Sequence, residues 1–337
     1  MKKVLFISST GGHFSELLQL KPLFKKYDSY IITEKDKTSE NFQEEYGEKF
    51  FFLPYGTRSK LFTYIFKYLY LCLKTIYLYF KIRPKYIVTT GTHTAVPMCY
   101  IGKLFGSKII FIETFANSKS KTLSGRMIYP IANLFIVQWK EMLELYPKAV
   151  YGGSIYWCTN YVHFAPNVWM FIKNGEVNMI LVLLGTQNNS FTRLLQAIQD
   201  NIDKKVITDK VIVQAGFTKF DSKDMKIFSM MSKKEFSKLQ DEADLIITHA
   251  GVGSIISSLE KGKKVIVVPR LKRYNEHVND HQIQIAKKFK QQGYVKYVIN
   301  LKNLGKVIKS MENFTPKEYK KSESNIISII ENYIDNN

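Results

Sequence analysis

The sequence predicts an α/β protein made of two Rossmann-like, doubly wound domains, and three observations lead there. The chain has 337 residues, too many for one ordinary doubly wound unit and comfortable for two. Short apolar runs alternate with helically spaced apolar residues, and this alternation restarts at Met179 after an irregular stretch. Glycine-bearing turns also follow several of the apolar runs, at Gly11-Gly12, Gly91, Gly185 and Gly251/Gly253. In open α/β sheets, ligands bind at the turns beyond the carboxyl ends of the strands.

In the first half, residues 4–8 read as a buried strand. Ser9-Thr10-Gly11-Gly12 is a tight turn, and Phe14, Leu17, Leu18 and Leu20 begin a helix. That strand–glycine–helix unit is a phosphate-loop candidate with His13 at its turn. Further strands are expected at residues 30–33, 50–53, 86–89, 109–112 and 134–137. The strand at 86–89 runs into Thr90-Gly91-Thr92-His93, and the one at 109–112 ends at Glu113. Residues 1–153 read as the first domain and 154–177 as a packed connector or second membrane-facing segment. Residues 178–337 form the second domain.

The stretch 61–82 is almost wholly Leu, Phe, Tyr, Ile and Cys, interrupted by Lys67, Lys74 and Lys81. Lysines seven apart fall near one line on a helix. One basic stripe on an aromatic-aliphatic helix suits a bilayer surface, with the lysines reaching the headgroups. The competing reading is a helix packed on the sheet with its lysine edge in water.

In the second half, a strand at 179–184 leads into Gly185-Thr186-Gln187-Asn188 and a helix from Phe191. Another strand is expected at 211–214. The richest stretch is 244–282: a strand, Thr248-His249-Ala250-Gly251-Val252-Gly253-Ser254, a helix to Gly262, a strand ended by Pro269, then Glu276 to Gln282. Gly251 and Gly253 allow a ligand close to the backbone, and the helix beginning near Ser254 aims its positive end at the same place. This predicts an anion site, most simply for phosphate. A final helix is expected near 326–334, and the Lys- and Glu-rich segment 302–323 reads as a solvated face.

Composition narrows the function. Lys and Arg total 49 against 29 for Asp and Glu, a formal charge of +20, which favours an anionic partner. Cys72, Cys99 and Cys158 are odd in number and form no C-x-x-C pair, which disfavours a disulfide framework or zinc site. The short apolar start runs straight into the first turn, so it reads as a strand rather than a leader. Asp241-Glu242-Ala243-Asp244 spells a helicase box, yet no G-x-x-x-x-G-K-[ST] accompanies it. The first turn lacks G-x-G-x-x-G, and there is no Asp-x-Asp pair. A nicotinamide cofactor and an essential divalent metal are therefore not expected. Without an RNA-binding motif or aromatic platform, neither is a nucleic-acid partner.

With these residues in view, the second half resembles the Alg13/PssE family and, more distantly, the carboxyl domain of family 28 glycosyltransferases. The resemblance rests on Leu184-Gly185-Thr186, the 248–254 turn, Val268-Pro269-Arg270, and Glu276-His277-Val278-Asn279-Asp280-His281-Gln282. The first half is similar to the Alg14/PssD family. It shares Gly11-Gly12-His13, Thr57-Arg58-Ser59, the basic aromatic helix, Thr90-Gly91-Thr92, Glu113, Leu123-Ser124-Gly125 and Phe135-Ile136-Val137-Gln138-Trp139.

The resemblance implies a GT-B glycosyltransferase with its domains facing a cleft and no cofactor beyond its donor. It implies a first domain on the cytoplasmic membrane face that holds a polyprenyl-diphosphate-linked sugar, and a second that binds a UDP-sugar. Donor contacts would be Gly185, Thr186, His249, Gly251, Val252, Gly253 and Ser254, with Arg270 as a cation. Glu276, His277, Asp280 and Gln282 would lie near the sugar. Relatives often carry a ribose-binding carboxylate five residues before Gly262. Ser257 stands there instead, with Glu260 as the substitute. His13 is the first choice of base, then Glu113, then Glu16, whose simpler role is an exposed helix position. Gly11, Gly12, Arg58, Thr92 and His93 are the acceptor-diphosphate contacts.

The expected reaction is inverting transfer of a hexose, galactose or glucose first, in capsule or exopolysaccharide assembly, forming a β-linkage. The alternative is N-acetylglucosamine transfer of the Alg13/Alg14 type. From another class, a non-catalytic UDP-sugar-binding membrane scaffold remains, and a UDP-sugar epimerase is less favoured.

Overall fold

The computed structural model describes residues 1–35, 39–54, 61–157, 179–319 and 324–337. Arg58, Cys158 and most of the 154–177 connector lie outside these residues. The chain divides into two units: Met1–Asn160 with Lys321–Asn337, and Tyr161–Lys320.

The first unit is a parallel sheet of β1 (Lys3–Ser8), β2 (Asp28–Glu34), β3 (Phe50–Leu53), β4 (Tyr86–Gly91), β5 (Lys108–Ile112), β6 (Leu134–Val137) and β7 (Val150–Tyr151). Among the described residues the order is β3-β2-β1-β4-β5-β6-β7. A parallel sheet is covered on both faces, which is why its central strands read as unbroken apolar runs. Val4 to Ser8 and all of β4 are buried. The helices are α1 (Gly12–Leu17), α2 (Lys21–Lys26), α3 (Glu40–Tyr46), α4 (Leu61–Ile82), α5 (Val96–Leu104), α6 (Leu123–Ile128) and α12 (Ile326–Asn336).

Helix α4 buries one face and exposes the other. Leu71, Thr75, Leu78, Tyr79 and Ile82 are buried at helical spacing. Phe66, Leu69, Tyr70, Leu73, Tyr77 and Phe80 repeat at the same spacing on the opposite face and are exposed, Phe66 and Tyr77 each at 62%. At 100° per residue, Lys67, Lys74 and Lys81 fall along one flank between the two faces. Among the described residues, no helix is long and apolar enough to cross a membrane.

The second unit is also parallel: β8 (Met179–Leu183), β9 (Lys210–Gln214), β10 (Met225–Phe228), β11 (Leu245–Thr248), β12 (Lys264–Val267) and β13 (Lys296–Tyr297). The order among the described residues is β10-β9-β8-β11-β12-β13. Its helices are α7 (Thr192–Asp203), α8 (Lys233–Glu242), α9 (Val252–Glu260), α10 (His281–Gln291) and α11 (Leu304–Lys309). The apparent helicase box is the end of α8 and the approach to β11. Short edge strands β7, β10 and β13 lack a long apolar run, and the sequence did not mark them.

Two expectations change. The 302–323 segment is not a simple solvated face, because Leu304, Ile308 and Met311 pack into the second core. The last helix was expected in the second domain. It is instead part of the first unit, where Ile326, Ile330 and Ile334 are fully buried. The Tyr86 hydroxyl donates to the Ile334 carbonyl at 3.1 Å, Tyr27 to the Asp335 carboxylate at 2.9 Å, and Lys85 to the Asn337 carbonyl at 2.7 Å.

Candidate active site

In the first unit, the turn after β1 meets the end of β4. Partners run Ile7 with Thr89, then Ser8 with Gly91, so Thr90 is an extra residue in the ladder. A bulge of this kind releases a backbone group from pairing and redirects it. Here the released Thr90 carbonyl accepts from His13 Nδ1 at 2.7 Å, and the Thr90 hydroxyl donates to the His13 carbonyl at 2.8 Å. With its proton on Nδ1, the neutral imidazole keeps a lone pair on Nε2, the form a general base needs. A Cβ on Gly91 would lie 3.2 Å from Ser124 Oγ and 3.8 Å from the His13 ring, which brings the Thr90-Gly91, Ser124 and His13 motifs together.

The two glutamates differ from His13 in being enclosed. Glu113 is 2% exposed and accepts from Thr114 N–H at 3.0 Å, from the Thr122 hydroxyl at 2.9 Å and from Tyr146 at 2.8 Å. Burial, partly offset by these donors, raises its pKa. A carboxylate this saturated ties the end of β5 to the start of α6, and Gly125 leaves the space for it. Glu16 is not the exposed helix position the sequence suggested, since it is only 2% exposed. Its Oε1 accepts from the Thr114 hydroxyl and Phe115 N–H, both at 2.9 Å, while Oε2 is buried without a partner. Burial pushes its pKa up to about 8.

The remaining first-unit residues are Gly11, Gly12, Thr92 and His93. Gly11 has φ 75° and precedes α1, a helix of six residues, and a Cβ on Gly11 or Gly12 would meet open space. Thr92 and His93 lie half-buried just past β4. Sequence reasoning missed Glu34 at the end of β2, whose buried carboxylate accepts from Thr94 at 2.7 Å and faces His93 Nε2 at 3.5 Å. A lone acid at a strand's carboxyl end was the only signal available.

In the second unit, the β11–α9 turn is built around His249. A Cβ on Gly251 would lie 2.3 Å from His249 Nε2, and one on Gly185 would lie 2.5 Å from its ring, so the imidazole is wedged between two glycines. Burial, helped by nearby Arg270, pushes its pKa down to about 3. His249 is therefore a neutral spacer that shapes the turn, not a cation for phosphate. Beside it, α9 starts at Val252, two residues earlier than expected, and the first N–H groups of a helix have no partner within it. A Cβ on Gly253 would meet nothing within 4 Å, so this face of the turn is open. Thr186 is exposed at the neighbouring turn, and Ser254 is half-buried.

The expected sugar and phosphate side chains are largely occupied. Arg270 is fully buried, and its guanidinium donates to the carbonyls of Asn189 at 2.6 Å, Leu184 at 2.8 Å and Glu276 at 3.2 Å. It lies over the Phe191 ring, and burial lowers its pKa to about 10. It braces turns rather than presenting a cation. Glu276 is paired with Arg193 at 2.8 and 2.9 Å and also accepts from Leu271 N–H. Gln282 Oε1 accepts from Arg270 N–H at 2.9 Å, and Asp280 accepts from Lys272 N–H at 3.0 Å. His277 Nε2 lies 3.0 Å from Gln187 Nε2, and burial lowers its pKa. Ser257 accepts from Gln240 and donates to the Ser254 carbonyl, while Glu260 is half-buried at the end of α9. The missed residue here is Arg193, whose role only its pairing with Glu276 reveals.

Known families account for both halves. A family profile described as "Oligosaccharide biosynthesis protein Alg14 like" matches residues 4–155, and one described as "Glycosyltransferase family 28 C-terminal domain" matches residues 179–336. The chain joins an Alg14-like domain to a family 28 glycosyltransferase C-terminal domain. The chain is 28% identical over 177 residues to UDP-N-acetylglucosamine transferase subunit ALG14 of Rattus norvegicus, covering 45% of this chain and 82% of the relative. Its fold is GT-B. It matches Acinetobacter baumannii MurG with a TM-score of 0.68 at 13% identity, covering 99% of this chain and 100% of that one. It matches Methanocaldococcus jannaschii UDP-GlcNAc 2-epimerase with a TM-score of 0.70 at 18% identity over the whole of both chains.

Proposed function

We propose that this chain transfers N-acetylglucosamine from its UDP donor to a polyprenyl-diphosphate-linked sugar on the cytoplasmic face of the membrane, with inversion to a β-linkage. The observation that carries this reading is the joining, in one chain, of the Alg14-like and family 28 domains. The name of the rat relative supports N-acetylglucosamine over the galactose or glucose expected first. The exposed apolar face and lysine flank of α4 support work at a lipid surface.

In this reading, the Val252, Gly253 and Ser254 amides take the donor diphosphate. The helix start stabilises charge gathering on departing UDP without a metal. His13 Nε2 accepts the proton of the attacking hydroxyl, while Thr90 holds the ring. The oxygen attacks the anomeric carbon as the bond to UDP breaks. His93 and the Gly11-Gly12 turn receive the acceptor's diphosphate.

The test is transfer from UDP-GlcNAc, UDP-galactose and UDP-glucose to defined lipid-linked acceptors. UDP-GlcNAc should lead by about tenfold or more in kcat/KM, because a site built for the acetamido group loses hydrogen bonds with the others. A preference for galactose or glucose would return the hexosyltransferase reading. Gly253→Asp should abolish UDP binding by setting a carboxylate against phosphate, and unchanged UDP affinity would remove α9 from the donor site.

A further inference from the structure

Glu34 has no part in the reaction described above, yet its carboxylate reaches two separate turns. It stands at the carboxyl end of β2, and β1 lies between β2 and β4 in the sheet. Spanning from β2 to the turn beyond β4 covers about 10 Å of sheet. The side chain is 2% exposed. Its Oε1 accepts from the Thr94 hydroxyl at 2.7 Å. Its Oε2 accepts from Thr10, through the backbone N–H at 3.4 Å and the hydroxyl at 3.3 Å. The backbone carbonyl of Glu34 accepts from Ser39 Oγ at 2.9 Å, which fixes the strand end beneath it.

The placement of those partners gives the contacts their meaning. Thr10 immediately precedes Gly11-Gly12-His13, and Thr94 immediately follows His93. A carboxylate out of water is costly unless donors compensate it, and both of these turns supply donors to Glu34. Loss of the carboxylate would leave two glycine-containing turns without their common support.

We propose that Glu34 is a positioning residue for the transfer reaction: one buried carboxylate ties the turn bearing His13 to the turn bearing His93 and holds the two imidazoles at a fixed spacing. This rests on the reading of His13 as base and His93 as an acceptor contact.

The test uses the full chain with Glu34→Ala and Glu34→Gln, each checked for folding by its melting curve. Amide hydrogen exchange is read at residues 9–13 and 92–95, beside kcat and the KM for each substrate. Glu34→Ala should speed exchange at both turns by about tenfold or more, the scale of one lost hydrogen bond to a charged group. It should lower kcat and raise the acceptor KM, each by about tenfold, while the donor KM moves less than about twofold. Glu34→Gln keeps one acceptor oxygen, so it should restore protection at one turn and leave the other fast. Unchanged exchange at both turns in Glu34→Ala overturns the proposal. So does faster exchange with kcat and acceptor KM intact, because the tie would then position nothing. If the wild-type chain moves no sugar from any nucleotide donor, the functional reading falls, and the exchange data still decide whether Glu34 joins the turns.

Discussion

Glu16 is a carboxyl group held out of water, and its proton count differs between the folded and unfolded chain. Folded, it titrates near pH 8. Unfolded, it returns to 4.5. Between those values the folded state holds a proton that the unfolded state has released, so stability falls as pH rises from about 4.5 to 8 and then levels. Glu16→Gln keeps the oxygen that accepts from Thr114 and Phe115 and removes the titration. It should match wild type near pH 4.5 and exceed it by about 4 kcal/mol at pH 8, from urea unfolding at each pH. A parallel pH dependence in both proteins would mean Glu16 ionises normally. His13 is half-buried, and its tautomer is set by the Thr90 carbonyl. His13→Ala should cut turnover by about a hundredfold or more with donor affinity unchanged, the usual scale for a lost general base. Near-normal turnover would move the role to Glu113.

At the scale of the element, α4 divides its surface by purpose. The buried stripe packs against the first unit's sheet and α5, while the aromatic-aliphatic face is exposed. Lys81 turns its ammonium over the Phe51 ring at 5.1 Å, which leaves Lys67 and Lys74 better placed for lipid headgroups. Changing Leu69, Leu73 and Tyr77 to Ser should weaken binding to all liposomes. Changing Lys67 and Lys74 to Glu should weaken binding to anionic liposomes alone, by about 1 kcal/mol for each charge removed. Retention of both variants on anionic liposomes, measured by co-flotation, would make the exposed face irrelevant to membranes.

The whole molecule is less separable than its two families suggest. Helix α12 belongs to the first unit although the chain reaches it only after the second. Three isoleucines are fully buried there, worth roughly 5 kcal/mol together at about 25 cal/mol per Å². Deleting residues 324–337 should therefore destabilise the first unit by that order, seen as an earlier first transition in urea. The second unit's transition should stay in place. An unmoved first transition would show that α12 is dispensable to that sheet.

Much of this was readable from the chain itself. Strands buried on both faces must be apolar without interruption, so β1, β4, β8 and β11 declared themselves, and the glycines beyond them marked the turns. The place of His13 was legible because it directly follows such a turn. Pairing across the sheet was not legible. Nothing near Glu276 in sequence indicates that Arg193 claims it, and nothing near Arg270 indicates three carbonyls waiting for its guanidinium. A polar residue's availability depends on what surrounds it, and most of those neighbours come from segments 80 or so residues away.

The sequence by itself determined the two α/β domains, the location of the glycine-bearing turns and the period of α4, because each follows from local periodicity and backbone freedom. Only the tertiary structure decided that Arg270 and Glu276 brace turns of the second unit, that Glu16 is enclosed, that Glu34 spans two turns, and that the last helix returns to the first sheet. Burial and hydrogen-bond partnership are relations between distant segments, and folding alone brings those segments together.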